Sequence, residues 1–359
     1  MNIIDMKNAG LTEQLIQESL LYNNLKIGRI SSQHKNLYKV ITENGEISGE
    51  ISGKFRFEAR SLADYPAVGD FVMLDWMDGS HSNAIIHHVL TRKSAFERKA
   101  AGTSNDVQIV AANMDIVFIC MALNNDFNLR RLERYLSIAW DSGSIPVVVL
   151  TKSDLCDNLP ARLDEVFAIA IGVDVVVTTS ISEDGFISIK DYMEMGKTFA
   201  FIGSSGVGKS TLINRLLGTN VMSTNETRND DKGRHTTTRR ELILVADGGA
   251  IIDTPGMREL GIEKADLSRV FSDIDMLADQ CKFTDCTHDR EPNCAVQQAI
   301  IDGELSIERL ASYIKLMKEA KYAGLNSKQI ETEKLNSMFA EVGGMKNARK
   351  FMKDKQTKR

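Results

Sequence analysis

Between about Ile27 and Val89 the chain alternates apolar and polar positions over short runs separated by turn residues, the pattern of half-buried strands. The runs are Asn36–Thr42, Glu46–Arg56, Asp70–Trp76 and Asn83–Val89, and the pairs Asn44-Gly45 and Asp78-Gly79 read as hairpin turns. Five or so short strands in about 70 residues predict a small barrel of the oligonucleotide-binding kind. A β-sandwich or an SH3-like barrel without a ligand fits the same alternation. Arg92, Lys93, Arg98 and Lys99 then read as a basic linker.

From Asp115 the period changes. Apolar strands at Ile116–Met121, Ile145–Leu150, Val173–Thr178 and Thr198–Ile202 alternate with helices at Leu129–Trp140, Ala161–Ile171 and Lys209–Leu217, and strands at Glu241–Ala246 and Ala250–Ile252 follow. Continuous β-branched runs between helices predict a mostly parallel sheet buried on both faces, an α/β core. Beyond Gly261 the pattern is helical, interrupted by a loop rich in cysteine.

Composition narrows the class. The 359 residues are 43% hydrophobic and 26% charged, which excludes disordered and fibrous chains and suits a multidomain protein. The longest apolar run, Ile116–Leu123, falls far short of the ~18 residues that span a bilayer. Asp5 and Lys7 interrupt any signal-peptide reading, so a cytoplasmic protein with no membrane partner is expected. Net charge is −5, a weak argument against nucleic acid, but Met345–Arg359 carries seven basic residues against Asp354. That tail reads equally as a solvated end or as an RNA contact.

Candidate chemistry begins where Thr198–Ile202 runs into Gly203-Ser204-Ser205-Gly206-Val207-Gly208-Lys209-Ser210, followed by Thr211. This fits GxxxxGKS in a strand, loop, helix context, in which backbone N–H groups and the helix N-terminus hold phosphates. Lys209 would reach the β and γ phosphates and Ser210 would ligate Mg²⁺. A plain glycine-rich turn explains the loop but not its flanking elements. Thr151-Lys152-Ser153-Asp154 follows a buried strand: Asp154 can accept two hydrogen bonds from the N–H edge of guanine, and the stem of Lys152 would cover the base. Alone, such an Asp is commonly a helix cap. Asp253-Thr254-Pro255-Gly256 ends another strand; Asp253 would hold Mg²⁺ through water, and the Gly256 N–H would sense the γ-phosphate. Between them the polar stretch Met222–Arg240, with Gly233-Arg234-His235-Thr236-Thr237-Thr238, reads as a switch segment whose Thr236 or Thr237 reaches Mg²⁺.

Cys281, Cys286, His288 and Cys294 form Cx4CxHx5C, four soft ligands that close one tetrahedral structural Zn²⁺ site with no open position. Buried thiols and a surface histidine are the plainer alternative. Cys120 and Cys156 read as ordinary thiols.

In ordinary GTPases the phosphate loop precedes the base-recognition motif; here TKSD at Thr151 precedes the loop at Gly203. With GRHTTT, DTPGMRELG and the cysteine spacing, the sequence resembles the circularly permuted GTPases, and among them the RsgA family, also called YjeQ or EngC. The resemblance covers roughly residues 25 to 335. It implies an N-terminal OB-like barrel at 25–98, a circularly permuted α/β P-loop GTPase domain at 99–262 and a helical zinc-binding domain at 263–340, flanked by an extension at 1–24 and a tail at 341–359. It further implies a monomeric GTP hydrolase that binds the 30S ribosomal subunit and its 16S rRNA, acts late in 30S maturation and is stimulated by the subunit. A GTP-gated rRNA-binding module with little turnover is the alternative. The guanine site would include Thr151, where many GTPases have Asn, and Ser180 and the Ile181 backbone from Thr179-Ser180-Ile181-Ser182. Met257 stands where Ras-like enzymes carry the water-orienting Gln, so the catalytic group would come from another part of the chain or from the partner. The resemblance points to His235 in the switch segment, and a histidine that only fixes that loop or touches RNA is the alternative.

Overall fold

The computed structural model describes residues 4–76, 83–99, 106–182, 185–218, 241–246, 248–253, 267–322, 325 and 327–338. Near the N-terminus helix α1 (Glu13–Ser19) starts at Thr12, whose hydroxyl accepts a hydrogen bond from the Leu15 N–H. Leu15 packs with Phe71, Met73 and Leu90, which seats the extension against the barrel.

The barrel has strands β1 (Lys26–His34), β2 (Leu37–Thr42), β3 (Gly45–Ile51), β4 (Phe71–Asp75) and β5 (Ala84–Val89), with helix α2 (Gly53–Glu58) between β3 and β4. Strand β1 pairs with both β2 and β4, and β3–β5 and β5–β4 complete the circle, so the five strands close. Alternate residues Ile30, Val40, Val72, Leu74 and Ile86 fill the interior. Gly45, at φ +117°, supplies the positive dihedral of the expected Asn44-Gly45 turn. The expected strand Glu46–Arg56 is shorter than predicted: Ser52 caps Phe55 N–H at 3.0 Å and starts α2, so Gly53–Arg56 is helical.

The basic linker is also corrected. Arg92 forms a fork on the buried Asp70 at 2.8 and 2.7 Å and donates to the carbonyls of Ala63 and Tyr65. Strand β6 (Ala95–Lys99) then pairs antiparallel with β7 (Val107–Ala112). Arg98 and Lys99 therefore sit in a ladder.

Next come β8 (Ile116–Ala122), α3 (Leu129–Asp141), β9 (Ile145–Thr151), α4 (Leu159–Phe167), β10 (Asp174–Val177), α5 (Ile187–Lys190), β11 (Thr198–Gly203), α6 (Lys209–Leu217), β12 (Glu241–Leu244) and β13 (Ala250–Asp253). Helix α4 lies N-terminal to the expected Ala161–Ile171, because Asn158 caps it and Pro160 suits its first turn. Strands β10, β9, β8, β11 and β13 are parallel neighbours in that order, and β12 lies antiparallel beside β13. Separate apolar clusters cover the two faces: Leu136, Val148, Ile202 and Ile252 belong to one, Phe118, Val149, Phe201 and Ile213 to the other. The sheet continues into the barrel where Ser32 of β1 pairs with Glu241 of β12.

Helices α7 (Ser272–Ala278), α8 (Ala295–Ile301), α9 (Ile307–Lys321) and α10 (Ser327–Met338) follow. Phe271, Ile274, Val296, Leu310 and Leu316 share one apolar cluster with Leu132 and Leu136 of α3, so α7, α8 and α9 are packed on the α/β core. Among the described residues no helix is long and apolar enough to cross a membrane.

One buried cation joins the parts. The Arg29 guanidinium donates to the carbonyls of Ala9 and Gly69 and, at 2.8 Å, to Thr198 Oγ1, with the Phe71 ring 4.8 Å away. Burial pulls its pKa down to about 10.

Candidate functional site: a nucleotide edge and a cysteine cluster

Because β8, β9, β10, β11 and β13 are parallel, the loops after them emerge on one edge of the sheet. The loop after β11 carries the GxxxxGKS sequence. Gly203 has φ +147°, and a Cβ there would lie 2.4 Å from the Cys120 carbonyl oxygen, so only glycine lets the strand leave the sheet at that point. Gly206 and Gly208 also take positive φ, and α6 starts at Lys209. The Lys209 ammonium donates to the carbonyls of Gly203 at 2.8 Å and Ser204 at 2.7 Å, spanning the loop. Val207 is buried in the core, Ser205 is exposed, and Ser210 and Thr211 lie half-buried in the first turn of α6. Cys120, beneath the loop, is a buried strand thiol whose pKa burial pushes up to about 12.

Asp253 ends β13 on the same edge, opposite Phe201 of β11. Burial pushes its carboxyl above the usual range, and the Lys209 ammonium opposes the shift. A hydroxyl and a carboxylate, from Ser210 and Asp253, are hard oxygen donors of the kind that Mg²⁺ takes. Gly256, His235, Thr236, Thr237 and Met257 lie outside the described residues, as does the basic tail.

The base-recognition candidates gather at the ends of β9 and β10. Thr151 is buried, and its hydroxyl donates to the Val207 carbonyl at 2.6 Å, so it faces the phosphate loop. Lys152 adopts φ +57° and Asp154 is exposed in the short turn Ser153–Leu155. The Thr179 hydroxyl donates to Asp154 Oδ1 and accepts from the Ile181 N–H at 3.2 Å. The guanidinium of Arg215, late in α6, donates to the carbonyls of Ser180 and Ser182. Thr179 and Arg215 thus order the segment of Ser180 and Ile181. Sequence reading missed both roles: a hydroxyl directly after a strand was a weak signal for Thr179, and nothing marked Arg215.

The Cys/His motif folds into a second centre. One ligand atom from each of Cys281, Cys286, His288 and Cys294 lies within 4.8 Å of the others. Cys281 Sγ is 3.8 Å from Cys294 Sγ, and His288 Nδ1 is 3.7 and 3.5 Å from these two sulfurs. A tetrahedral Zn²⁺ at ordinary bond lengths asks for about 3.8 Å between sulfurs and about 3.5 Å from sulfur to nitrogen, so the set fits zinc. Cys294 caps α8, accepting from the Gln297 N–H at 3.4 Å, and the Gln297 side chain donates to the His288 carbonyl. Burial raises the Cys281 thiol pKa, but hydrogen bonds from the Val296 and Ala295 N–H groups outweigh it and favour thiolate.

Residues 89–263 match the family model described as RsgA GTPase. A small ribosomal subunit biogenesis GTPase RsgA 2 of Lactiplantibacillus plantarum is 48% identical over 96% of this chain and 98% of its own length. The RsgA protein of Methanosarcina acetivorans is 42% identical over 95% of this chain and 93% of its own. Among solved structures, YjeQ from Thermotoga maritima superposes with a TM-score of 0.61 at 28% identity, covering 83% of this chain and 99% of that one. YloQ, described as a circularly permuted GTPase, gives 0.58 at 26%, covering 84% of this chain and 96% of that one. A GxxxxGKS loop placed after the TKSD strand, an OB-like barrel, a Cys/His cluster and near-full-length relatives agree: the chain belongs to the RsgA GTPase family, whose members hydrolyse GTP.

Proposed function

We propose that this GTPase binds the 30S ribosomal subunit through its 16S rRNA, acts late in the maturation of that particle, and turns over GTP faster on it. The observation that carries this reading is the 48% identity, along 96% of the chain, to a relative named for small ribosomal subunit biogenesis. A protein that meets an RNA particle and returns free belongs in the cytoplasm as a monomer. The barrel and the zinc-bearing helices would touch rRNA mostly at phosphates, and the basic tail would add charge.

In this reading residues 203–211 cradle the phosphates, with Lys209 on the β and γ groups and Gly256 on the γ-phosphate. Bound Mg²⁺ would neutralise charge on the β and γ oxygens, and Ser210, Asp253 and Thr236 or Thr237 would hold it. Asp154, Lys152 and the Ser180–Ile181 backbone select guanine, while Thr151 braces the phosphate loop through Val207. Zn²⁺ on Cys281, Cys286, His288 and Cys294 is structural, one per chain. Met257 offers no group to orient water, so that task falls to His235.

GTP turnover of the purified protein, measured with and without purified 30S subunits, tests this. Stimulation of about 10³-fold or less is expected, below the largest effects of partner-supplied groups. Turnover indifferent to saturating subunits would sink the partner. His235→Ala should bind GTP and subunits yet lose most of the stimulated rate; full stimulation in that variant would assign His235 a structural role.

A further inference from the structure

Helix α3 touches the nucleotide edge with its first turn and the zinc-bearing helices with its second. Arg131 donates from one guanidinium nitrogen to both carboxylate oxygens of Asp126, at 2.8 Å each, and to the hydroxyl of Ser204. Ser204 is the second residue of the phosphate loop and is buried. The Arg131 backbone is fixed as well, because Asn128 caps α3 by accepting from its N–H at 3.0 Å.

Two residues on, Glu133 is fully buried and accepts from Arg130 and, at 2.9 Å, from Arg309 of α9. Arg309 also forks onto Asp273 of α7 at 2.6 and 2.7 Å and donates to the Val270 carbonyl at 2.8 Å. Arg134 forms a two-pronged pair with Glu319 of α9. Toward the end of α3 the Trp140 ring receives the Arg269 guanidinium at 4.8 Å. Between these charges Leu132 and Leu136 share one apolar cluster with Leu310 and Leu316. Close-packed helices locked by buried ion pairs do not slide by small continuous amounts, so a displacement of α3 carries α9 with it.

We propose that α3 is the coupling element between phosphate-loop occupancy and the zinc-bearing helices, with Arg131 as a positioning residue that acts through Ser204. Phosphate oxygens draw the loop's N–H groups inward; Ser204 moves with the loop, Arg131 with Ser204, and α9 with α3. This route rests on the phosphate-loop reading of residues 203–211.

Hydrogen exchange of the α9 amides, Ile307–Lys321, in the full chain without nucleotide, with GDP and with a non-hydrolysable GTP analogue tests the coupling. In the wild type the analogue should change α9 exchange by about fivefold or more, the lower end of ordinary coupling between sites. Arg131→Gln should remove most of that response while weakening analogue binding by less than about tenfold. Arg131→Lys, which keeps the charge but not the planar guanidinium, should restore at most part of it. By reciprocity Arg134→Gln, at the α9 clasp, should shift the ratio of analogue to GDP affinity in the direction that Arg131→Gln does. Wild-type α9 exchange indifferent to the nucleotide that is bound would overturn the coupling. A response that survives Arg131→Gln would overturn the route through Arg131. Failure of the wild type to bind nucleotide would instead overturn the phosphate-loop reading beneath both.

Discussion

Asp154 and Thr179 lie 25 residues apart, yet one hydroxyl proton joins them. The bond uses one lone pair of Asp154 Oδ1 and holds the carboxylate in a fixed orientation, so that both oxygens can still accept from a base edge. Asp154→Asn should move preference from guanine to xanthine nucleotides by roughly tenfold to a hundredfold, because the amide matches the altered edge and mismatches the natural one. Competition between GDP and XDP in a binding titration reads this directly, and an unchanged guanine preference would remove Asp154 from the base site. Asp154 itself was legible because TKSD is contiguous and follows a buried strand. Thr151 was legible as part of the motif but not in its contact: its hydroxyl seeks the Val207 carbonyl, 56 residues on, a pairing that exists only once β9 and β11 flank β8 on its two sides.

Elements were legible where local signals and burial agreed. The strand into the phosphate loop and helix α6, Lys209–Leu217, follow from an apolar run, three glycines and a helical period. The sequence misled where an apolar alternation met a cap: Gly53–Arg56 reads as strand until the Ser52 hydroxyl closes on Phe55. It misled again at β6, where Arg98 and Lys99 suggest a solvated linker although Phe96, in the same strand, is buried. The cysteine loop was readable by spacing alone, and its consequence for α7 and α8 can be measured. Cys286→Ala should drop zinc from about one per chain to well below one and loosen the packing of Phe271, Ile274 and Val296, since loss of a closed structural site removes folding free energy. Nucleotide affinity should change little, because the phosphate loop rests on β11 and α6. Elemental analysis that finds zinc absent from the wild type, or retained after two ligand substitutions, would contradict the assignment.

At the scale of the whole molecule the motif order revealed the permutation, but not that the barrel, β12 and the parallel strands form, among the described residues, one 11-stranded sheet. Nor could it: the bridge from Ser32 to Glu241 and the bond from Arg29 to Thr198, 169 residues distant, carry no local signature. Arg29 is satisfied only when Ala9, Gly69 and Thr198 are all in place, because a buried cation that lacks its acceptors is costly. A fragment ending at residue 99 should therefore unfold less cooperatively, and at lower denaturant, than the barrel does within the full chain. Equal midpoints in urea for the fragment and for barrel fluorescence in the full chain would contradict this. The ribosome delivers a chain from its N-terminus, and early segments ordinarily fold first. Here Arg29 is made long before Thr198, so one of its acceptors is missing and its charge stays partly hydrated at the barrel's seam until more than half of the protein has been translated.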